Sequence, residues 1–295
     1  MHFQWLESFT PGESLRVCPW DGDIAPLATV PDGARTACIL DTETTGLDPR
    51  TCTIIEIGLR TIAYSPAGDV LGLVDSYDGL QDPGAPLPPE IVVLTGLTDM
   101  DLAGEAIDWE RVVGMLKAAS VCAAHKAAFD RPFVDAALRQ WSAQYGLAVP
   151  RVAWVCSLDL IDWKAHGLPS SSLEVLCALH GFYTTSHRAG SDAAALARLL
   201  GMRNAESGAT YLHEMLTAAR VPTVIVAAVG SPFEAKDALR ERGYRWDAAV
   251  KVWSRAIPAS AEGEERAWLA ANAYRGPMRA TFTKVDLMTR YSHGA

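Results

Sequence analysis

Between residues 37 and 202 the chain alternates short apolar runs with longer stretches of helical period. Strands are expected at 37–43, 54–64 and 70–77, the last two joined by the turn-forming run Ser65-Pro66-Ala67-Gly68-Asp69. Three strands with such short connections make an antiparallel meander. After a Pro-rich loop at 82–89 the period lengthens. Residues 90–94 read as a short helix. Residues 109–119 read as a longer one, with Val112, Val113, Leu116 and Ala119 on one face. Short strands at 121–124 and 152–156 then alternate with helices at 130–145, 158–164, 173–179 and 191–202. The first of these carries Phe133, Val134, Ala137, Leu138 and Trp141 on one face, with Pro132 in its first turn. Ser170-Ser171-Ser172 precedes the third as a hydroxyl cap. A meander followed by alternating helices and short strands implies a mixed sheet with helices packed on it, an α/β layer architecture.

The flanks read differently. Residues 1–36 are rich in turn formers and form an irregular lead-in, with one short element expected near 15–17. The α/β body takes 37–203, and a helix within 204–220 links it to the remainder of the chain. From 221 the pattern changes to a strand at 223–229 and a helix at 232–242 with Ala235, Ala238 and Leu239 inward. An aromatic hairpin at 244–246 and 250–253, a helix at 264–273 and a strand at 279–285 complete it. Residues 221–295 are thus expected to be a small α+β domain, of a size that folds alone.

Composition changes this picture little. An apolar fraction of 49% in 295 residues is ample for a core. No apolar run approaches the roughly 18 residues of a membrane span. The start, MHFQWLESFTPGE, lacks the basic and apolar segments of a secretory signal. A soluble, cytoplasmic protein with no membrane partner is expected. The six cysteines form no CxxC pair, so reduced, buried thiols are expected rather than a zinc site or disulfides. The net charge of −9 argues at first against a nucleic-acid partner. It is unevenly spread: from Val221 onward 11 Lys+Arg face 8 Asp+Glu, while the rest holds 15 against 27. An acidic body can still act on polyanions if bound cations neutralise its site, and a mildly basic tail suits a nucleic-acid strand.

The candidate chemistry lies in three separated stretches. In ACILDTETTGLD an apolar strand ends with Asp41 and Glu43 at i and i+2, on one face. Two such acids repel each other and resist desolvation, so the pair calls for a positive partner, most simply a hard divalent cation. The second stretch, His125-Lys126-Ala127-Ala128-Phe129-Asp130, sets Asp130 at a helix start, where free N–H groups favour a carboxylate. The third, His187-Arg188-Ala189-Gly190-Ser191-Asp192, puts a histidine five residues before an acid in the first turn of an Ala-rich helix. Singly these would be a structural acid pair, an N-cap and a loop histidine. Their order and conjunction carry the case.

With these motifs the chain resembles the DEDD superfamily of 3′→5′ exonucleases, in the subgroup whose fifth site residue is histidine. This is the group of the proofreading epsilon subunit of bacterial DNA polymerase III. LDTETTGLD matches the first motif, AHKAAFDRPF the second and HRAGSDA the third. IIEIG, LTGLTDMDL and SSSLEVLCALHGF match the intervening segments, so the likeness spans 37–202. The tail also resembles a bacterial subfamily with a C-terminal appendix domain. One departure is Lys126, which stands where the family usually has Asn. Lys offers a phosphate a point charge instead of an amide.

The resemblance implies a ribonuclease H-like fold and a two-ion site for Mg²⁺ or Mn²⁺. Asp41, Glu43 and Asp192 would hold one ion, Asp41 would bridge to the second, and Asp130 would reach that one through water. His187 would be the general base, a task suited to an unperturbed imidazole near neutral pH. Leu47 would wedge against the terminal base. Thr42, Thr44, Gly46, His125, Lys126 and Phe129 complete the substrate side, with Phe129 packing under the site and Glu56 in support. The activity so implied is hydrolysis of phosphodiester bonds at the 3′ end of single-stranded DNA, releasing nucleoside 5′-monophosphates. Trimming of RNA 3′ ends is the alternative, decided by tolerance of a 2′-OH. A non-catalytic polymerase-associated subunit is a third, against which the five intact catalytic positions argue. The expected partner is a single-stranded 3′ end, DNA favoured over RNA, within a replication or repair complex. In the tail, Tyr244, Trp246 and Trp253 lie among Arg240, Arg242, Arg245, Lys251 and Arg255. Such a mixture suits stacked bases and tracked phosphates. The more ordinary expectation is that these rings form a small domain's core.

Overall fold

The computed structural model describes residues 17–20, 22, 24–204, 206–248 and 250–292. They form two compact units. One runs to Ala218 and includes Tyr291 and Ser292, and the other spans Ala219–Arg290.

The first unit is built on a five-stranded sheet: β1 (Arg35–Thr44), β2 (Ile54–Tyr64), β3 (Val70–Leu80), β4 (Val121–Ala124) and β5 (Trp154–Cys156). The spatial order is β3-β2-β1-β4-β5. The first three strands form the expected meander, and β4 and β5 join parallel to β1. The mixed sheet flanked by helices agrees with the sequence reading. β2 is buried along its whole length, which explains its nearly unbroken apolar run.

The helices are α1 (Pro89–Thr95), α2 (Trp109–Ala118), α3 (Ala127–Tyr145), α4 (Leu173–Leu179), α5 (Ala189–Gly201) and α6 (Tyr211–Ala219). Cys38, Leu40, Ile57 and Leu59 turn toward α2 and α3, where Val112, Leu116, Phe133, Val134 and Leu138 bury their side chains. α5 packs against β1 and β2. Its approach demands small residues. A side chain at Gly58 would meet the backbone of Ala189 at 2.3 Å. Gly58 is paired across the ladder with Asp41, so the start of α5 lies over the acidic face of β1.

Several boundaries differ from the sequence reading, each for a local reason. α3 begins three residues early, at Ala127, so Asp130 sits inside the first turn rather than at the cap. The expected helix at 158–164 is a single turn, Ser157–Leu160, ended by extended backbone at Ile161. There the Trp163 indole N–H donates to the Ser157 carbonyl and holds the chain in a turn. Ser172 makes no side-chain cap for α4; its own N–H donates to Ser170 Oγ instead. The helix expected from 206 starts at Tyr211. The element expected near 15–17 falls largely outside the described residues. Next to it, Cys18–Pro19 pairs in parallel with Phe182–Tyr183. Cys18 is exposed, contrary to the expectation of buried thiols, and Cys52 is half-buried. Among the described residues no helix is long and apolar enough to cross a membrane.

The second unit holds β6 (Thr223–Ala227), α7 (Lys236–Glu241), β7 (Arg245–Asp247), β8 (Val252–Pro258), α8 (Glu262–Asn272) and β9 (Thr281–Val285). Its antiparallel sheet has the order β9-β6-β8-β7. Val224, Val226, Leu239, Tyr244, Ile257 and Leu269 form a separate core. Glu265, almost fully buried, accepts hydrogen bonds from Tyr244, Arg242 and Arg255.

Candidate active site

The alternation of β1 sorts its last residues by face. Asp41 and Glu43 point to the α5 side, and Thr42 points to the α3 side. Glu56 lies directly across the ladder from Glu43 and shares its face. α5 brings Asp192 to the same place in its first turn. From the other side, Thr42 donates its hydroxyl to Asp130 Oδ1 at 2.9 Å and fixes that carboxylate over the end of β1. Three of the groups, Glu43, His187 and Asp192, each offer a ligand atom within 4.8 Å of the others.

Burial and neighbouring charge set the ionisation of these acids. Burial pushes the Asp41 carboxyl well above the usual range, and Asp130, Asp192, Glu43 and Glu56 push it further. Glu43 rises to about 8, through burial first and then the fields of Asp192, Glu56 and Asp130. Asp130 rises to about 7 by burial, opposed by its bond from Thr42 and by the charge of Lys126. Asp192 rises to about 6 by burial, held back by the His187 backbone N–H, which donates to its Oδ2 at 2.9 Å. Such a cluster resists ionisation until a cation joins it. Oxygen donors with one imidazole at the rim form a donor set for a hard divalent ion. The residues present therefore fit the metal expected from the sequence.

The remaining sequence-predicted residues have definite places. Thr44 is buried and donates its hydroxyl to the Gly46 carbonyl at 2.6 Å, tightening the turn after β1. Gly46 lies against Cys52: a Cβ there would meet its Sγ at 2.7 Å. Beyond that turn Leu47 projects outward, 84% exposed. His125 is committed at both ring nitrogens, Nδ1 with Ser157 Oγ at 2.8 Å and Nε2 with the Ser171 carbonyl at 2.7 Å. It ties β4 to the loop before α4. Lys126 is exposed, with its ammonium 5.5 Å from the centre of the Phe129 ring. Phe129 packs on Phe133, ring centres 5.1 Å apart.

Sequence reasoning missed one device. Arg188, between His187 and Asp192, donates from Nε and Nη2 to the buried carboxylate of Glu56 at 3.0–3.1 Å. Glu56 also accepts the backbone N–H of Ala189, the first residue of α5. The pair clamps the start of α5 to β2. His187 adopts a left-handed backbone, φ 61°, as the chain enters that helix. The signal was present: an ionisable residue inside the apolar run IIEIG needs a cation or a ring of donors.

The mixed sheet flanked by helices defines a class of fold, the ribonuclease H-like one. Residues 38–200 match the RNase_T exonuclease family, and the chain belongs to that family, within the DEDD superfamily of 3′→5′ exonucleases. The DNA polymerase III PolC-type protein of Halalkalibacterium halodurans is 30% identical over 166 residues, 55% of this chain and 11% of that protein. The PolC-type protein of Listeria monocytogenes serovar 1/2a is 31% identical over 169 residues, again 11% of its length. The match thus spans about a tenth of these relatives. Among solved structures, the zinc-bound E. coli exonuclease I complex with single-stranded DNA is similar in fold. Its TM-score is 0.53 at 15% identity, over 86% of this chain and 64% of that one.

Proposed function

We propose that this protein is a divalent-metal-dependent 3′→5′ exonuclease that removes nucleoside 5′-monophosphates from the 3′ end of single-stranded DNA. What supports the reading is the cluster of Glu43, His187 and Asp192, with Asp41 two residues before Glu43 on the same face of β1 and Asp130 held at the end of that strand by Thr42. All four acids are raised by burial, and Asp41 and Glu43 also by the neighbouring acids, so they are ready to hold cations. Mg²⁺ or Mn²⁺ fits the donors, and when bound a pair of such ions supplies charge stabilisation to the cleaving phosphate and acidifies water.

The chain's own residues do the rest. Asp41, Glu43, Asp130 and Asp192 would hold the ions between them. His187 takes a proton from the attacking water at a ring nitrogen. The phosphorus–O3′ bond breaks, and the leaving oxygen is protonated by solvent. Thr42 keeps Asp130 in place, and the Glu56–Arg188 clamp does the same for the His187–Asp192 segment. Leu47 presents an apolar edge to the last base, and the Lys126 ammonium offers a phosphate its charge. The PolC-type relatives are DNA polymerase III proteins, which supports work on strand ends in replication or repair.

The test is incubation of 5′-labelled DNA and RNA strands with Mg²⁺, Mn²⁺ or a chelator. The expected result is stepwise shortening of DNA from its 3′ end, lost in the chelator. Absence of cleavage with either metal overturns the reading. Faster shortening of RNA moves the substrate to RNA.

A further inference from the structure

In the second unit the structure separates rings that the sequence could only group. Tyr244 is core, buried and bonded to Glu265. Trp246 is not: it is 50% exposed, and it stands opposite Trp253 in the β7–β8 ladder, ring centres 5.6 Å apart. Above Trp253 lies the guanidinium of Arg240 at 5.9 Å. One helical turn earlier on the same face of α7, the Lys236 ammonium sits 4.1 Å from the centre of the Phe233 ring, and Phe233 is 75% exposed. Positions four apart on a helix are about 6 Å apart, so the two cation–ring couples are neighbours.

The two exposed rings, Phe233 under Lys236 and Trp246 beside the Trp253 that Arg240 covers, gain little by folding alone. They expose apolar faces that water solvates poorly. Three acids lie in the same segment, Glu234, Asp237 and Glu241. Asp237 pairs with Arg240 at 3.3 Å, but both are largely exposed, and such pairs yield readily. From this strip we infer that the second unit carries a single-stranded nucleic-acid surface. Bases stack on Phe233 and Trp246, and Lys236 and Arg240 track the phosphates between them. The choice of occupant rests on the exonuclease reading, because the substrate of the acid site is a strand of this kind. None of these four residues belongs to the acid site, so the surface acts on affinity for long strands and leaves cleavage itself untouched.

The test measures binding by full-length protein in chelator, using fluorescence anisotropy of a long labelled single strand across a salt series. Trp246→Ala and Phe233→Ala each weaken binding about five- to hundredfold, the range of one lost stack. Lys236→Ala with Arg240→Ala lowers the steepness of log affinity against log salt by about 1.4, since each contact on a single strand contributes about 0.7. All variants cleave a strand of a few nucleotides at the wild-type rate. Wild-type affinity and salt slope in these variants overturn the inference, whatever the nuclease activity. Loss of long-strand binding in a protein that cleaves nothing keeps the surface and removes the exonuclease reading instead. Phe233 and Trp246 lie outside the apolar core, so their truncation leaves folding intact.

Discussion

Without metal, the acid cluster sets a pH limit on the stability of the first unit. Glu43 moves from 4.5 to about 8 on folding, chiefly through burial. The folded state therefore holds protons that the unfolded chain has already released. Its contribution is complete below about pH 4.5 and is lost as pH rises through 8. At about 1.4 kcal/mol per unit, the 3.5-unit rise of this one group places up to about 5 kcal/mol at stake. Asp130 and Asp192, raised to about 7 and 6, act in the same direction. Their rises come chiefly from burial. The total is a large share of the 5–15 kcal/mol that holds an ordinary domain together. Urea unfolding of chelator-treated protein, followed by tryptophan fluorescence at about pH 5, 7 and 9, reads it directly, because Trp154 and Trp163 are buried in this unit. Stability falls by several kcal/mol across the series, and millimolar Mn²⁺ restores most of it at the alkaline end. Stability that is flat or rises with pH in chelator refutes the account of the cluster.

Two further predictions concern single residues. His187→Ala lowers the cleavage rate by about 10²–10⁴-fold, and raising the pH recovers part of it, as hydroxide replaces the lost base; a rate equal to wild type at every pH removes His187 from that role. Glu56→Gln takes the charge from the clamp on α5 and lowers stability by about 1–3 kcal/mol, less than a fully buried pair because the Arg188 side chain is 42% exposed. It also slows cleavage, by loosening the segment that holds His187 and Asp192. Unchanged melting and an unchanged rate contradict the clamp.

Much of the catalytic unit was legible in the sequence because its signals are local. The apolar runs of β1, β2 and β4 and the period of α2 and α5 give the layers, and three short motifs give the acids. What escaped depends on residues far apart in the chain. Thr42 reaches Asp130 across 88 positions, and Glu56 reaches Arg188 across 132. The bonds of His125 to Ser157 and to the Ser171 carbonyl likewise join residues 32 and 46 positions apart. The helix expected at 158–164 failed for a similar reason: its spacing was helical, but the Trp163 indole bond favours a turn. In the tail, sequence could not sort core rings from exposed ones: Tyr244 is buried just before β7, while Trp246 within it stays half-exposed.

The account stands on acids that come together to bind ions, and calorimetric titration of chelator-stripped protein with Mn²⁺ tests this most directly. Wild-type protein takes up the ion with release of protons near neutral pH, and Asp41→Asn loses most of that binding while keeping its fold. Equal uptake by the two proteins, or none by the wild type, contradicts it.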